Sequence, residues 1–207
     1  MKISVSILNA KDKKETIKIL NSTDISYFHI DVMDGHFVSQ TSIPVEETIE
    51  LSRVSEKKLD IHLMHNSPLT YIEKIKDLKN IEYITIHLEI EENIKDILNK
   101  IREYGFKSGI SIKPNTDINK LIPYLNDIDL ILIMTVEPGL GGQQFLENSP
   151  NRIKAVKELV KDKDILLEVD GGINDKTINL VKDSDIAVVG SYITTSDNMI
   201  EKVKTLV

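Results

Sequence analysis

SILNA, residues 6–10, ends the first β-rich run of the chain and enters the first loop without a glycine. That detail decides between two architectures. Eight β-rich runs lie at 3–6, 27–33, 59–64, 83–87, 108–112, 130–135, 165–169 and 186–189. Between them the apolar spacing changes to three and four residues, the period of an amphipathic helix. At 93–104, Ile94, Ile97, Leu98 and Ile101 form one face; at 150–161, Ile153, Val156, Leu159 and Val160 do, with Ser149 as the expected N-cap and Pro150 at the first helical position. Strands alternating with helices form either an open doubly wound sheet or a closed (β/α)8 TIM barrel. The open sheet places a glycine-rich turn after its first strand. SILNA has none, so the chain is read as one (β/α)8 barrel domain over 1–207, roughly 26 residues per unit.

Composition narrows the chemistry. With 33 acidic against 26 basic residues the net charge is −7, which argues against nucleic acid or an anionic membrane as partner. Hydrophobic residues make up 41%, enough for a core. There is no cysteine, so disulfides, thiolate nucleophiles and cysteine-held zinc are excluded. The opening MKISVSILNA is too short an apolar run for a signal peptide, and no apolar stretch approaches the length of a membrane helix. A soluble, cytoplasmic protein is expected.

In a barrel the active site forms at the C-terminal ends of the strands. HIDVMDGHF, residues 29–37, obeys this rule: by the two-residue period of a strand, His29, Asp31 and Met33 share one face, and Phe28, Ile30 and Val32 the other. Asp60, His62 and Met64 repeat the pattern in the third run, and the seventh ends in EVDGG, residues 168–172. His29, Asp31, His62 and Asp170 thus converge on one rim. Any one of them alone reads as a satisfied core histidine or a loop cap, but inward parity recurring at three strand ends reads as a metal or acid/base site. Two imidazoles and two carboxylates suit zinc, manganese, iron or cobalt better than magnesium.

Glycine recurs in the last three βα loops: TVEPGLGGQ (135–143), Gly171-Gly172 and Gly190-Ser191. Each pair alone is turn chemistry. In succession they read as a phosphate cradle, because glycine lets backbone N–H groups approach an anion closely.

These stretches, VSIL (5–8), HIDVMDGHFV (29–38), DIHLM (60–64), MTVEPGLGGQ (134–143) and EVDGGI (168–173), together resemble the motif set of the ribulose-phosphate 3-epimerase family. The likeness runs from the first strand to the last. It implies a ribulose-phosphate-binding barrel that interconverts D-ribulose 5-phosphate and D-xylulose 5-phosphate in the pentose phosphate pathway with a divalent metal. Laid on this sequence, His29, Asp31, His62 and Asp170 would hold the metal, with Asp31 and Asp170 also the two acid/base groups. Ser6 and His62 would touch the sugar. Gly139, Leu140, Gly141, Gly142, Gly171, Gly172, Gly190 and Ser191 would line the rest of the sugar phosphate. A homo-oligomer is the expected assembly. The chemistry agrees: inverting a carbon next to a ketone needs a base on one face and an acid on the other, with the enediolate between them stabilised by charge.

Met33, Met64 and Met134, three of the five methionines, fall near strand ends, either as core filler or as a polarizable cushion for a planar intermediate. Val5 and Ser39-Gln40 depart from the family pattern, which has proline before the serine and Pro-Asn after the Phe-Val. Lys113 is read as a solvated loop lysine, His87 as a structural strand-end residue, and His36 and His65 as loop residues. Two other functions fit the same motifs. One is 3-epimerisation of D-allulose 6-phosphate, with Tyr192–Thr195 and Ser39-Gln40 shaping the distal pocket. The other is a non-catalytic sugar-phosphate binder, for which two opposed carboxylates are superfluous.

Overall fold

Eight parallel strands pair in chain order and close into a barrel in the computed structural model, which describes residues 1–206. Val207, the last residue of the expected domain, lies outside the described residues. The strands are β1 (Lys2–Ser6), β2 (Tyr27–Met33), β3 (Lys58–Met64), β4 (Ile81–His87), β5 (Lys107–Ile112), β6 (Leu130–Met134), β7 (Leu166–Asp170) and β8 (Ile186–Val189). β8 returns to β1, with Lys2 opposite Ile186 and Val5 opposite Val189. The fold is therefore the expected (β/α)8 barrel, and every expected run is a strand with bounds moved by at most two residues.

The chain covers eight units by shortening two connections. After β5 and β7 the α-helix is replaced by 3₁₀ segments, Ile118–Tyr124 and Ile178–Val181. Pro123, which has no N–H to give, sits in the first of them. The helix expected at 93–104 runs Ile94–Glu103, where the Asn93 side chain accepts the Lys95 N–H and the four expected apolar residues are buried. The helix expected at 150–161 runs Ser149–Leu159, and here one expectation is corrected. Asn148, not Ser149, is the N-cap, because its carbonyl takes the Arg152 N–H while Ser149 is already helical.

Alternation along the strands divides the molecule into two layers. Outward residues such as Phe28, Ile30, Ile61, Leu63, Ile84 and Ile86 pack on Ile72, Ile97, Leu98 and Ile101 of the surrounding helices and form the main core. Inward, a smaller cluster of Tyr27, Tyr83, Leu130, Leu132 and Ile186 fills part of the lumen. Tyr27 and Tyr83 meet edge to face at 5.6 Å, and Lys2 Nζ donates to Tyr27 Oη at 2.9 Å. Much of the remaining lumen is polar: Ser4, His29, Asp60, His62, Thr85, His87, Ser111 and Glu168 are all fully buried. Burying such groups is costly without partners, so packing alone does not account for them.

Gly109 on β5 stands opposite Thr85 of β4. A Cβ there would overlap Thr85 Oγ1 and lie 3.2 Å from Leu130 Cδ2. Gly109→Ala should therefore destabilise the barrel by about 1–3 kcal/mol, the usual range for overpacking. Urea unfolding checks this, and a variant as stable as the parent would mean the Thr85 hydroxyl moves aside freely.

Candidate active site

The loop after β2 shows how the two aspartates of HIDVMDGHF divide their work. Asp34 is a cap: Oδ1 accepts the N–H groups of His36 and Phe37, each at 2.8 Å, and Oδ2 accepts that of Asn66 at 2.7 Å. Asp31 faces the lumen. β2 and β3 pair with Asp31 opposite His62 and His29 opposite Asp60. Asp31 Oδ1 then lies 3.4 Å from His29 Nε2 and 3.3 Å from His62 Nδ1. Asp170 arrives from the end of β7, and one ligand atom from each of His29, Asp31, His62 and Asp170 falls within 4.8 Å of the others. The four residues singled out in the sequence are thus brought together.

Their surroundings set their charges. Burial alone would raise Asp31, but the His29 and His62 imidazoles hold its carboxyl well below the usual range. Ser6 Oγ donates to Asp31 Oδ2 at 2.6 Å. Asp170 is pushed the other way, up to about 6, by burial and by the charge of Asp31. Burial would lower His29, yet Asp60 and Asp31 raise it well above its ordinary value. Asp60 Oδ2 sits 2.6 Å from His29 Nδ1 and also accepts from Ser4 Oγ at 3.1 Å. Beneath it the buried Glu168 carboxyl is driven well up by burial and by the neighbouring charge of Asp60.

Asp60 thereby fixes one nitrogen of His29 and leaves the other free. Among the described residues His29 Nε2 is buried and has no hydrogen-bond partner. An orphaned imidazole nitrogen turned toward two carboxylates and a second imidazole fits a divalent metal, and His29, Asp31, His62 and Asp170 could hold one.

Above this cluster opens a cleft enclosing about 580 Å³, part of it open to solvent. It is bordered by Ser6, Asp31 and Asp170, by Met33, Met64 and Met134, by residues 136–143, by Gly171 and Gly172, and by Gly190 and Ser191. Every expected substrate-binding residue except His62 borders it; both nitrogens of His62 are turned elsewhere, toward Asp31 and toward His87. Gly172 has φ +69°, and a Cβ there would come 2.5 Å from Phe145 N. Gln143 Nε2 donates to the carbonyls of Glu137 and Leu140, folding residues 137–143 back on themselves.

Matched to known proteins, residues 2–194 fit the model of the ribulose-phosphate 3 epimerase family. Curated ribulose-phosphate 3-epimerases agree: that of Helicobacter pylori (strain J99) is 35% identical, covering 93% of this chain and 90% of its own. That of Bacillus subtilis is 34% identical over 93% and 92%, and that of Methanocaldococcus jannaschii 31% over 100% and 89%. The chain belongs to the ribulose-phosphate 3-epimerase family. It is accordingly an isomerase of the epimerase type. Solved structures of a 3-hexulose-6-phosphate synthase (TM-score 0.69, 12% identity, 100% of this chain and 98% of that one) and of Mycobacterium tuberculosis tryptophan synthase (0.70, 13%, 99% and 88%) share the barrel fold.

Against this epimerase frame, several residues of the site escaped the sequence reading. Asn9 borders the cleft and packs on Gly141. Thr135 Oγ1 donates to the carbonyls of Asp170 and Gly171, at 2.8 and 2.6 Å, and pins the end of β7. Asp60 and Glu168 had the right parity, which was the available signal. Ser39, Gln40 and Tyr192 do not border the cleft; Tyr192 lines a shallow groove beside it. Lys113 is not simply solvated, since its Nζ lies 4.1 Å from the Phe37 ring centroid. His87 does end β4, but its Nε2 is 2.9 Å from His62 Nε2 and its Nδ1 is 3.0 Å from Glu89 Oε2. Burial would raise Glu89, yet His87, Thr116 and the Lys113 N–H hold it down at about 2.

Burial lowers His87 from 6.5 to about 4. Between those values the unfolded chain binds a proton at this position that the folded chain does not, so stability falls as pH drops from 6.5 to 4. His87→Gln lacks this contribution. Its metal-free Tm should therefore fall less across that window than the parent's; equal falls would mean that the ring charges without unfolding.

Proposed function

We propose that the chain interconverts D-ribulose 5-phosphate and D-xylulose 5-phosphate by passing the C3 proton through Asp31 and Asp170. The observation that carries this reading is the pair itself: two carboxylates from β2 and β7 border one cleft, and their surroundings push their proton affinities apart. Asp31, held ionised, takes the proton from one face of the sugar; Asp170, protonated up to about pH 6, returns one to the other face. The reverse reaction exchanges the roles. Ser6 keeps Asp31 oriented. A divalent ion (zinc, iron, manganese or cobalt) held by His29, Asp31, His62 and Asp170 would supply positive charge for the oxygens on which negative charge develops. Met33, Met64 and Met134 give the planar carbons an apolar wall. Backbone N–H groups of residues 139–142, 171–172 and 190–191 take the phosphate. Cytoplasmic location, a homo-oligomer and a single domain over 1–207 belong to the same proposal.

A coupled assay on D-ribulose 5-phosphate and D-allulose 6-phosphate, with metal content measured on the same preparation, tests the reading. Faster turnover of the hexose phosphate would move the assignment to that substrate, and turnover of neither would favour a binding protein. His29→Ala should lower zinc affinity by at least about 10-fold, since even residues behind the ligands are worth that much, and activity should fall with it. Full occupancy in the variant would remove His29 from the ligand set.

A further inference from the structure

We propose that His87 and Glu89 are positioning residues: a directed chain of hydrogen bonds from Glu89 through His87 holds His62 in the tautomer that offers Nδ1 to the metal. This rests on the reading of His62 as a ligand. The direction of the chain follows from its outer end. Glu89 Oε1 accepts the Lys113 N–H at 2.9 Å and the Thr116 hydroxyl. Both partners are held in place by Arg152, whose Nη2 donates to the Lys113 and Thr116 carbonyls. Glu89 is thus a carboxylate facing donors, and its other oxygen, 3.0 Å from His87 Nδ1, accepts as well.

The hydrogen of His87 is therefore on Nδ1. A neutral imidazole then has its lone pair on Nε2, which lies 2.9 Å from His62 Nε2. Two nitrogens this close share one hydrogen, and His62 must supply it. Nδ1, inside the ligand cluster and 3.3 Å from Asp31 Oδ1, is then the nitrogen whose lone pair a bound metal takes; without metal it gives its hydrogen to Asp31. The second histidine is set in the opposite sense, because Asp60 takes His29 Nδ1 and frees Nε2. The Phe37 ring lies tilted against the His87 ring with centroids 4.5 Å apart, Lys113 Nζ is 4.1 Å from the Phe37 centroid, and both His62 and His87 are fully buried from water.

Glu89→Gln tests the direction without changing shape. The amide oxygen keeps Lys113 and Thr116, so the NH2 turns to His87 and donates. Every bond in the chain then reverses, and the hydrogen is forced onto His62 Nδ1, against the metal. Zinc affinity measured by chelator competition should fall 10- to 100-fold, while the circular dichroism of the metal-free protein is unchanged. In a His87→Phe background the chain is already cut, so Glu89→Gln should have no further effect; a merely structural Glu89 would lose as much in either background. In the zinc-loaded parent, ¹⁵N-histidine NMR should show His62 bound through Nδ1, with its Nε2–H coupled to His87 Nε2. Unchanged zinc affinity in Glu89→Gln, or an equal loss in the His87→Phe background, overturns the positioning role. Zinc retained by His62→Ala would instead overturn the ligand reading on which it stands.

Discussion

Asp31→Asn and Asp170→Asn should each lower turnover of ribulose 5-phosphate by about 10³-fold or more, within or beyond the range for loss of one general acid or base. The two residues lie near the C-terminal ends of different strands and border one cleft, and in the proposed reaction each serves one face of C3. An amide keeps the shape but neither takes nor returns the proton. Loss of metal alone could mimic this result, and isotope exchange separates the causes. With one carboxylate intact, the C3 proton of one epimer should still exchange with deuterium in the solvent, although inversion has stopped. Near-normal turnover by either variant would remove that residue from proton transfer.

Ribulose without its phosphate should be a poorer substrate by about 10³-fold or more in kcat/KM, and the loss should persist at saturation. Charge-assisted hydrogen bonds to backbone N–H groups are worth about 1.5–3 kcal/mol each, and a few of them suffice for that factor. Their energy is used to hold the reacting carbon between the carboxylates, so kcat falls as well as kcat/KM. Gly172→Ala probes the same cradle from the protein side. A Cβ there meets the backbone of Phe145, whereas one at Gly190 would lie 3.4 Å from its nearest neighbour, in Ser6, so Gly172 is the more sensitive position. Comparable kcat/KM for the two sugars would leave these glycines as turn residues and return the function to an unphosphorylated substrate.

The strands and the ligand rim were legible because strand parity is local: His29 and Asp31 announce their shared face within three residues. Asp60 and Glu168 had the same parity but no visible reason to be buried. Asp60 meets His29 on the neighbouring strand, and Glu168 reaches both only across the closed lumen. His87 looked inert for a similar cause, since its partner His62 lies 25 residues away on the neighbouring strand. Ser149 and Asn148 are both good capping residues. Which one ends outside the helix depends on where the preceding loop is delivered, and that is set by the bond from Leu146 N–H to the Thr135 carbonyl. Asn9 carries no motif of its own, and only the fold brings it against Gly141 in the loop after β6.

The two layers of alternating residues have a consequence for how such a protein can change. On β2, Phe28, Ile30 and Val32 answer to the helices while His29, Asp31 and Met33 face the candidate site, so selection for folding and selection for chemistry act on interleaved letters of one word. A library that randomises the inward letters of β2, β3 and β7 should alter activity while most members still fold. One that randomises the outward letters should do the reverse, and the partition would let this barrel acquire a new reaction without first acquiring a new core.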